Sequence, residues 1–312
     1  MRRQTWSEMS NETRAALMHR GLDDIFESDL RASIGDILID VRERGDAAVC
    51  DALAKFDKID VTPDQLRVTD EEFAMATVTT EVDVAIDDAI AHLQTFNETQ
   101  MLQAQDWSVE SEPGLFVGEK ITPISSAGLF TPSGKASYPS VAYQLAVPAM
   151  VAGVQRLSLV VPPVPGGNGE IDPAVLVVCR KLGIRNVFRV NGPAGIAALG
   201  FGTESIERVA KIVGPGSPAV TLAQVEMQRF GVSTMMLLGP TESLVIADET
   251  ADPVRLAADL LIEAEHGTDS SVVLLSTSAS LADATDVQLT EQLDALPEIR
   301  ATAARASLGP NG

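Results

Sequence analysis

One pattern occurs twice in this chain and restricts its fold more than any other feature. The run "RLSLVVPP" (residues 156–163) is apolar without alternation. It leads to "DPAVLVVCRKLG" (172–183) and then to "VFRVNG" (187–192). Further on, "SLVIAD" (243–248) leads through Asp252-Pro253 to "VRLAADLLIEAEH" (254–266), stops at Gly267, and resumes as "SVVLLST" (271–277). A strand that is apolar throughout has to be covered on both faces, which is the condition of parallel sheets flanked by helices. Asp-Pro is a helix start, because the carboxylate caps free amides and proline sits where no N–H is needed. Glycine closes each helix. Two related βαβ layers with mainly parallel sheets follow from this echo.

The rest of the chain divides around these layers. Residues 1–105 read as mostly helical. "DLRASIGDILIDVRERGDAAVCDALAKFD" (29–57) has helical spacing broken at Gly45, Thr69 caps "DEEF", and "VDVAIDDAIAHLQTFNETQ" (82–100) is amphipathic. From residue 107, "WSVESEPGLFVGEKITPISSAGLF" reads as strands and hairpins. "TPSGKASYP" is a loop entering the helix "SVAYQLAVPAMVAGV", and a helical tail begins near Leu281. The expected organisation is a helical region over 1–105 packed on the core, a first domain over 106–235 and the start of a second over 236–312. The N-terminal part is free to contribute to the second domain.

Composition removes several function classes. A formal net charge of −21 repels phosphate backbones and anionic lipid, so neither nucleic acid nor membrane is the expected partner. The N-terminus lacks the apolar core of a signal peptide, and the longest apolar stretch carries Pro148 and is too short to span a bilayer. Cys50 and Cys179 form no CxxC pair and are expected to be packed thiols in a reducing, cytoplasmic setting.

The chain has three histidines. His19 and His92 fall in helical runs and read as surface or half-buried residues. His266 ends a helix together with Asp259 and Glu263, at i−7 and i−3, on one face. A carboxylate and an imidazole so spaced supply two ligands of a zinc site, which takes N and O donors and needs about three from the protein when catalytic. The same residues also fit a histidine satisfying helix-end carbonyls beside solvated carboxylates. Gly214 and Gly216 in "VGPGSPAVTLAQ", and the loop "VNGPAGIAALGFGTES", bring backbone amides toward an anion or serve as ordinary strand–helix turns. Neither loop is a GxGxxG fingerprint or a Walker loop, and no GxSxG is present.

Taken together, "VRERGDAAV", "GLFTPSGKASYPS", "VPAMVAGV", "AALGFGTES", "GPG", "GPTESLVIAD" and "AADLLIEAEHGTDSSVVLL" resemble the histidinol dehydrogenase family in order and spacing, from about Asp29 to the last residue. The resemblance implies two Rossmann-like domains of related topology and an intertwined homodimer. It implies zinc- and NAD-dependent oxidation of a primary alcohol, L-histidinol, through an aldehyde to L-histidine. It places zinc on Glu263 and His266, with Glu263 standing where the family usually has Gln. It places substrate contacts on Thr241, Glu263 and His266, with Thr241 replacing a Ser. It places cofactor contacts on Phe130, Ala194 and Ser217, where the family has Tyr, Gln and Asn. Gln224 replaces a common Lys.

These changes point to a divergent branch, and one branch of the family oxidises the sulfonated diol 2,3-dihydroxypropanesulfonate. The family's Glu–His proton pair and two further zinc ligands, an Asp and a His, lie beyond the match to residue 312, so no catalytic residue is assigned within this chain. Three readings follow: a zinc and NAD enzyme seen as an incomplete chain, a short relative that binds without catalysis, and a shortened enzyme that recruits Asp259 or Glu265.

Overall fold

The computed structural model describes residues 3–18, 28–132, 138–235, 241–268 and 270–309. His19 lies outside them, as do residues 133–137 of the "TPSGKASYP" loop. The chain forms two compact units, Asp24–Leu238, and Met1–Asp23 with Gly239–Gly312. Helix α1 (Asn11–Met18) belongs to the smaller unit.

The larger unit begins with α2 (Ser28–Arg44) and α3 (Asp46–Ala52), the latter running into a turn of π-helix at Leu53–Asp57. The break between them is Gly45, with φ 56°, and a Cβ there would stand 2.2 Å from Glu204 Oε2. Only glycine accepts both conditions. Helix α4 (Asp70–Met75) starts with a reciprocal capping box of Thr69 and Glu72, and α5 (Thr80–Met101) is capped by Thr79. Strands β1 (Trp107–Glu112) and β2 (Leu115–Glu119) form an antiparallel hairpin, exposed at every strand position.

Strands and helices then alternate: β3 (Ser126–Phe130), α6 (Pro139–Val151), β4 (Arg156–Val161), α7 (Pro173–Lys181), β5 (Val187–Arg189), α8 (Gly192–Phe201), β6 (Lys211–Val213), α9 (Pro218–Met227) and β7 (Ser233–Thr234). The five strands are parallel in the order β5-β4-β3-β6-β7. Counted from β3 this is 3-2-1-4-5, the first five strands of the Rossmann order, with the chain reversing direction across the sheet between β3 and β6.

Both sheet faces are covered, as unbroken apolar strands require. On one face Phe130, Val160 and Ile212 pack with α2, α3, α8 and α9. On the other, Ala127, Leu129, Leu159 and Val161 pack with α4, α6 and α7. Alternate residues of one strand thus serve two cores.

The smaller unit repeats the strand–helix–strand order once, but the expected cover on both faces fails there: among the described residues one sheet face stays open at Leu244, Ile246 and Leu275. Strands β8 (Glu242–Ala247) and β9 (Ser271–Ser276) are parallel, joined by α10 (Pro253–Ala264), and are followed by α11 (Ala279–Asp294) and α12 (Glu298–Ser307). Leu256, Leu260, Leu261, Val272, Leu281 and Leu289 form its core.

Arg189, 8% exposed, ties β5 to α4. Its guanidinium donates to both Glu72 carboxylate oxygens at 2.6 and 2.8 Å and to the Gly169 carbonyl at 2.7 Å. Burial raises the Glu72 pKa, but the Thr69 amide and Arg189 outweigh it and hold the carboxyl below its usual range. Replacing Arg189 by Met strands a partly buried carboxylate and is expected to cost about 2–3 kcal/mol in urea unfolding. A depressed acid pKa stabilises the fold fully above the unfolded value and less as pH falls through the folded one. Glu72→Gln should therefore flatten the acid limb of stability against pH.

Candidate functional site

The reversal between β3 and β6 leaves a crevice at the carboxyl ends of the strands, where doubly wound sheets bind ligands. It is a cleft of about 410 Å³. The end of β3 supplies Phe130 and Pro132, the turn after β5 supplies Asn191, Gly192, Pro193 and Ala194, and the turn after β6 supplies Gly216 and Ser217. Leu30, Ile34 and Ile37 of α2 and the Phe56-Asp57 pair close the other side. Phe130, Ala194 and Ser217, three positions far apart in sequence, therefore line one cavity. Phe130 and Ala194 are almost fully buried, and Ser217 is exposed.

The local chemistry of the two helix starts is informative. Helix α7, which leaves the neighbouring strand β4, is capped by Asp172, whose Oδ1 accepts from the Ala174 amide at 2.8 Å. Helices α8 and α9, which start at the cleft, have Asn191 and Ser217 at their N-caps, and neither side chain caps its helix. Their first-turn amides are left to another acceptor. Asn191 instead donates through Nδ2 to Asp57 Oδ1 at 2.6 Å. Burial pushes the Asp57 pKa up, and the Asn191 bond partly offsets it.

Gln224, buried on α9, donates to the Gly214 carbonyl at 2.9 Å and so fixes the "GPG" turn. Gly214 has φ 142°, and a Cβ there would lie 2.1 Å from the Phe130 carbonyl oxygen. Sequence reasoning missed Asp57, Asn191 and the bond made by Gln224. The first two stand at ends of their elements, where the string "KFD" and the "NGP" turn were the available signals.

The second set of predicted residues lies in the smaller unit. Strand β8 starts after Thr241, whose carbonyl accepts from the Ser271 amide at 2.8 Å. Because β8 and β9 are parallel and α10 runs back between them, the carboxyl end of α10 lies toward the same strand ends. Glu263 and His266 stand at that helix end, with His266 Nδ1 3.6 Å from Glu263 Oε2 and 3.1 Å from the Glu263 carbonyl oxygen. Both are accessible, at 50% for His266 and 37% for Glu263. Ser307 Oγ lies 3.0 Å from the Ala264 and Gly267 carbonyl oxygens and braces this end. Glu265 turns to Arg300, 3.8 Å away, and Asp259 is exposed one turn back on α10.

The donor types at Glu263 and His266 suit zinc. Among the described residues, no group of three or more His, Cys, Asp or Glu side chains gathers to hold a metal. The pair is therefore half a site. His92 is exposed on α5 of the larger unit. Burial raises the Cys179 thiol to about 12, and burial with nearby Asp46 raises Cys50 to about 11, so neither is a ready nucleophile.

The fold is that of a doubly wound α/β protein with a cleft at its strand reversal, and comparison with known proteins gives the family. The family model described as histidinol dehydrogenase matches residues 23–312. The histidinol dehydrogenase of Xanthomonas euvesicatoria pv. vesicatoria is 39% identical over 304 residues, covering 97% of this chain and 69% of that protein. A histidinol dehydrogenase homolog of Colwellia psychrerythraea is 38% identical over 312 residues, covering 98% and 68%. The crystal structure of histidinol dehydrogenase from Elizabethkingia anophelis superposes with a TM-score of 0.83 at 35% identity, covering 93% of this chain and 67% of that one. This chain belongs to the histidinol dehydrogenase family.

Two glycine substitutions test the cleft's construction. Gly214→Ala places a methyl against backbone and should cost at least about 2 kcal/mol in chemical denaturation. Gly35→Ala, inside α2 with nothing within 4 Å of the added carbon, should be neutral or stabilise by about 0.5–1 kcal/mol.

Proposed function

We propose that the chain oxidises a primary alcohol to a carboxylic acid through an aldehyde, with NAD as hydride acceptor and zinc as bound metal, and that L-histidinol and L-histidine are the substrate and product. The observation that carries the reading is the cleft at the β3–β6 reversal, with two uncapped helix starts and apolar walls, in a chain of this family. Free amides at helix N-termini suit a diphosphate, and apolar walls suit flat rings.

The overall change balances as one alcohol, one water and two NAD giving one carboxylate, two NADH and three protons. Phe130, Ala194 and Ser217 line the cofactor's place. The side chains that replace the family's Tyr, Gln and Asn are shorter or less polar, which shifts the binding load to backbone amides and to Asp57 and Asn191. Thr241, Glu263 and His266 serve the substrate. The Thr241 hydroxyl offers a donor and an acceptor to a polar substrate group. Glu263 and His266 supply two ligands of the zinc, which when bound acts as a Lewis acid toward the alcohol and aldehyde oxygens. Such a site needs about one further protein ligand, and no chemical step is assigned to residues of this chain.

Among the described residues no helix is long and apolar enough to cross a membrane. We place the enzyme in the cytoplasm, as a homodimer serving histidine biosynthesis. A branch substrate, 2,3-dihydroxypropanesulfonate, is the second reading, raised by the departures from the family pattern at Phe130, Ala194, Ser217 and Gln224, and the added negative charge of Glu263 works against its sulfonate. NADH formation with each alcohol decides between the two.

His266→Ala should lower zinc retention, measured by elemental analysis, and turnover by on the order of 100-fold or more, with the thermal unfolding curve little changed. Normal zinc content in that variant would remove His266 from the site. Asp259→Asn, on the exposed face one turn away, should keep both metal and turnover.

A further inference from the structure

The cleft is chemically two-sided. One side presents the uncapped starts of α8 and α9, which favour negative charge. The other presents Asp57, the one ionisable side chain among the described residues that line it. Asp57 is half-buried at the end of the π-turn, beside the exposed ring of Phe56. Its Oδ1 is held by Asn191 at 2.6 Å, while Oδ2 accepts no hydrogen bond from a described residue. The carboxylate is thus oriented by one partner and has an oxygen left for a ligand.

A carboxylate in such a position accepts hydrogen bonds from hydroxyl groups and opposes anions. In a partly desolvated cleft that opposition is stronger than in water. A ligand matching both sides carries a diphosphate at one end and a free vicinal diol within reach of the other. We propose that Asp57, held by Asn191, is a specificity-determining residue that accepts the ribose hydroxyls of the dinucleotide and excludes one carrying a 2′-phosphate, so that the protein takes NAD and rejects NADP. The inference rests on the dinucleotide reading above and adds to it the residue that discriminates.

The role is one of positioning and selection, through charge and hydrogen bonding, and involves no bond to a reacting atom. Asn191 serves it indirectly. It stands at the N-cap of α8, donates through Nδ2 to Asp57 and leaves its own helix uncapped. Asp57 and the helix that forms one side of the cleft are therefore coupled by a single hydrogen bond.

The test is direct binding to the full chain, which needs no turnover and no metal. NADH and NADPH are titrated by nucleotide fluorescence against the wild-type protein, Asp57→Asn and Asn191→Ala. Wild type is expected to bind NADH at least ~30-fold more tightly than NADPH, since a phosphate beside a partly desolvated carboxylate is repelled more strongly than in water. Asp57→Asn keeps size and shape and should narrow that ratio by about tenfold or more, chiefly through a gain in NADPH binding. Asn191→Ala leaves the charge in place and should weaken NADH while keeping NADPH excluded.

Equal binding of the two nucleotides to wild type overturns the inference, as does a ratio unchanged in Asp57→Asn. Should Asp57→Asn fail to fold, the wild-type ratio is compared at low and high salt. A charge-based exclusion shrinks as salt rises, and a ratio independent of salt overturns it. Binding of neither nucleotide to wild type, with the protein folded, overturns the dinucleotide reading itself and this inference with it.

Discussion

Strand β3 is buried at all five of its positions, and much of the larger unit follows from that constraint. A parallel strand with no exposed side chain needs strands on both edges and helices on both faces. The neighbours are β4 on one edge and β6 on the other, so the chain has to cross β3 to continue the sheet. The crossing makes the two connections leaving β3 and β6 diverge, and the divergence is the cleft. Phe130 closes the strand at the cleft floor. Its backbone lies so near Gly214 that no side chain fits between them. The site is therefore a consequence of how the core is buried.

Several quoted motifs turn out to be fastenings of that core. "VRERGDAAV" and "AALGFGTES" meet in space, where Glu204 accepts from the Asp46 amide at 2.8 Å and Ser205 Oγ donates to Asp46 Oδ2 at 2.5 Å. These bonds lock the α2–α3 corner to the exit of α8. The Asp46 amide holds the Glu204 carboxyl below its usual range, with its own backbone contributing. These residues say nothing about the reaction.

Legibility in the sequence varied with the range of the physics involved. The strands, the Asp172 and Asp252 caps and the break at Gly45 depend on neighbours a few residues away, and local pattern exposes them. The pairing of Glu263 with His266 is likewise local, one helix turn apart. The cleft was a different case. Phe130, Ala194 and Ser217 could be grouped only through the family resemblance, because nothing in their spacing shows that β3, β5 and β6 end at one edge. Asp57 sits in what reads as the tail of an amphipathic helix, and its meaning comes from Asn191, 134 residues away. The strongly exposed β1–β2 hairpin also defeats a burial argument, since Trp107, Val109 and Phe116 are apolar yet open.

The charge distribution joins these strands of reasoning. A chain of net charge −21 that is to take the diphosphate of the proposed cofactor has to create local relief from its own field. It does so without a described lysine or arginine lining the cleft, by leaving α8 and α9 uncapped there while α7 takes an aspartate at its start. An aspartate cap at α9 would satisfy the free amides and add a negative charge at the same point, removing both attractions at once. Ser217, neutral and short, leaves them available. Asp57, the one acid among the described residues lining the cleft, is oriented by the Asn191 amide at 2.6 Å. The side chains at Ala194 and Ser217 matter little to this electrostatic effect, because it resides in the backbone amides of the helix starts.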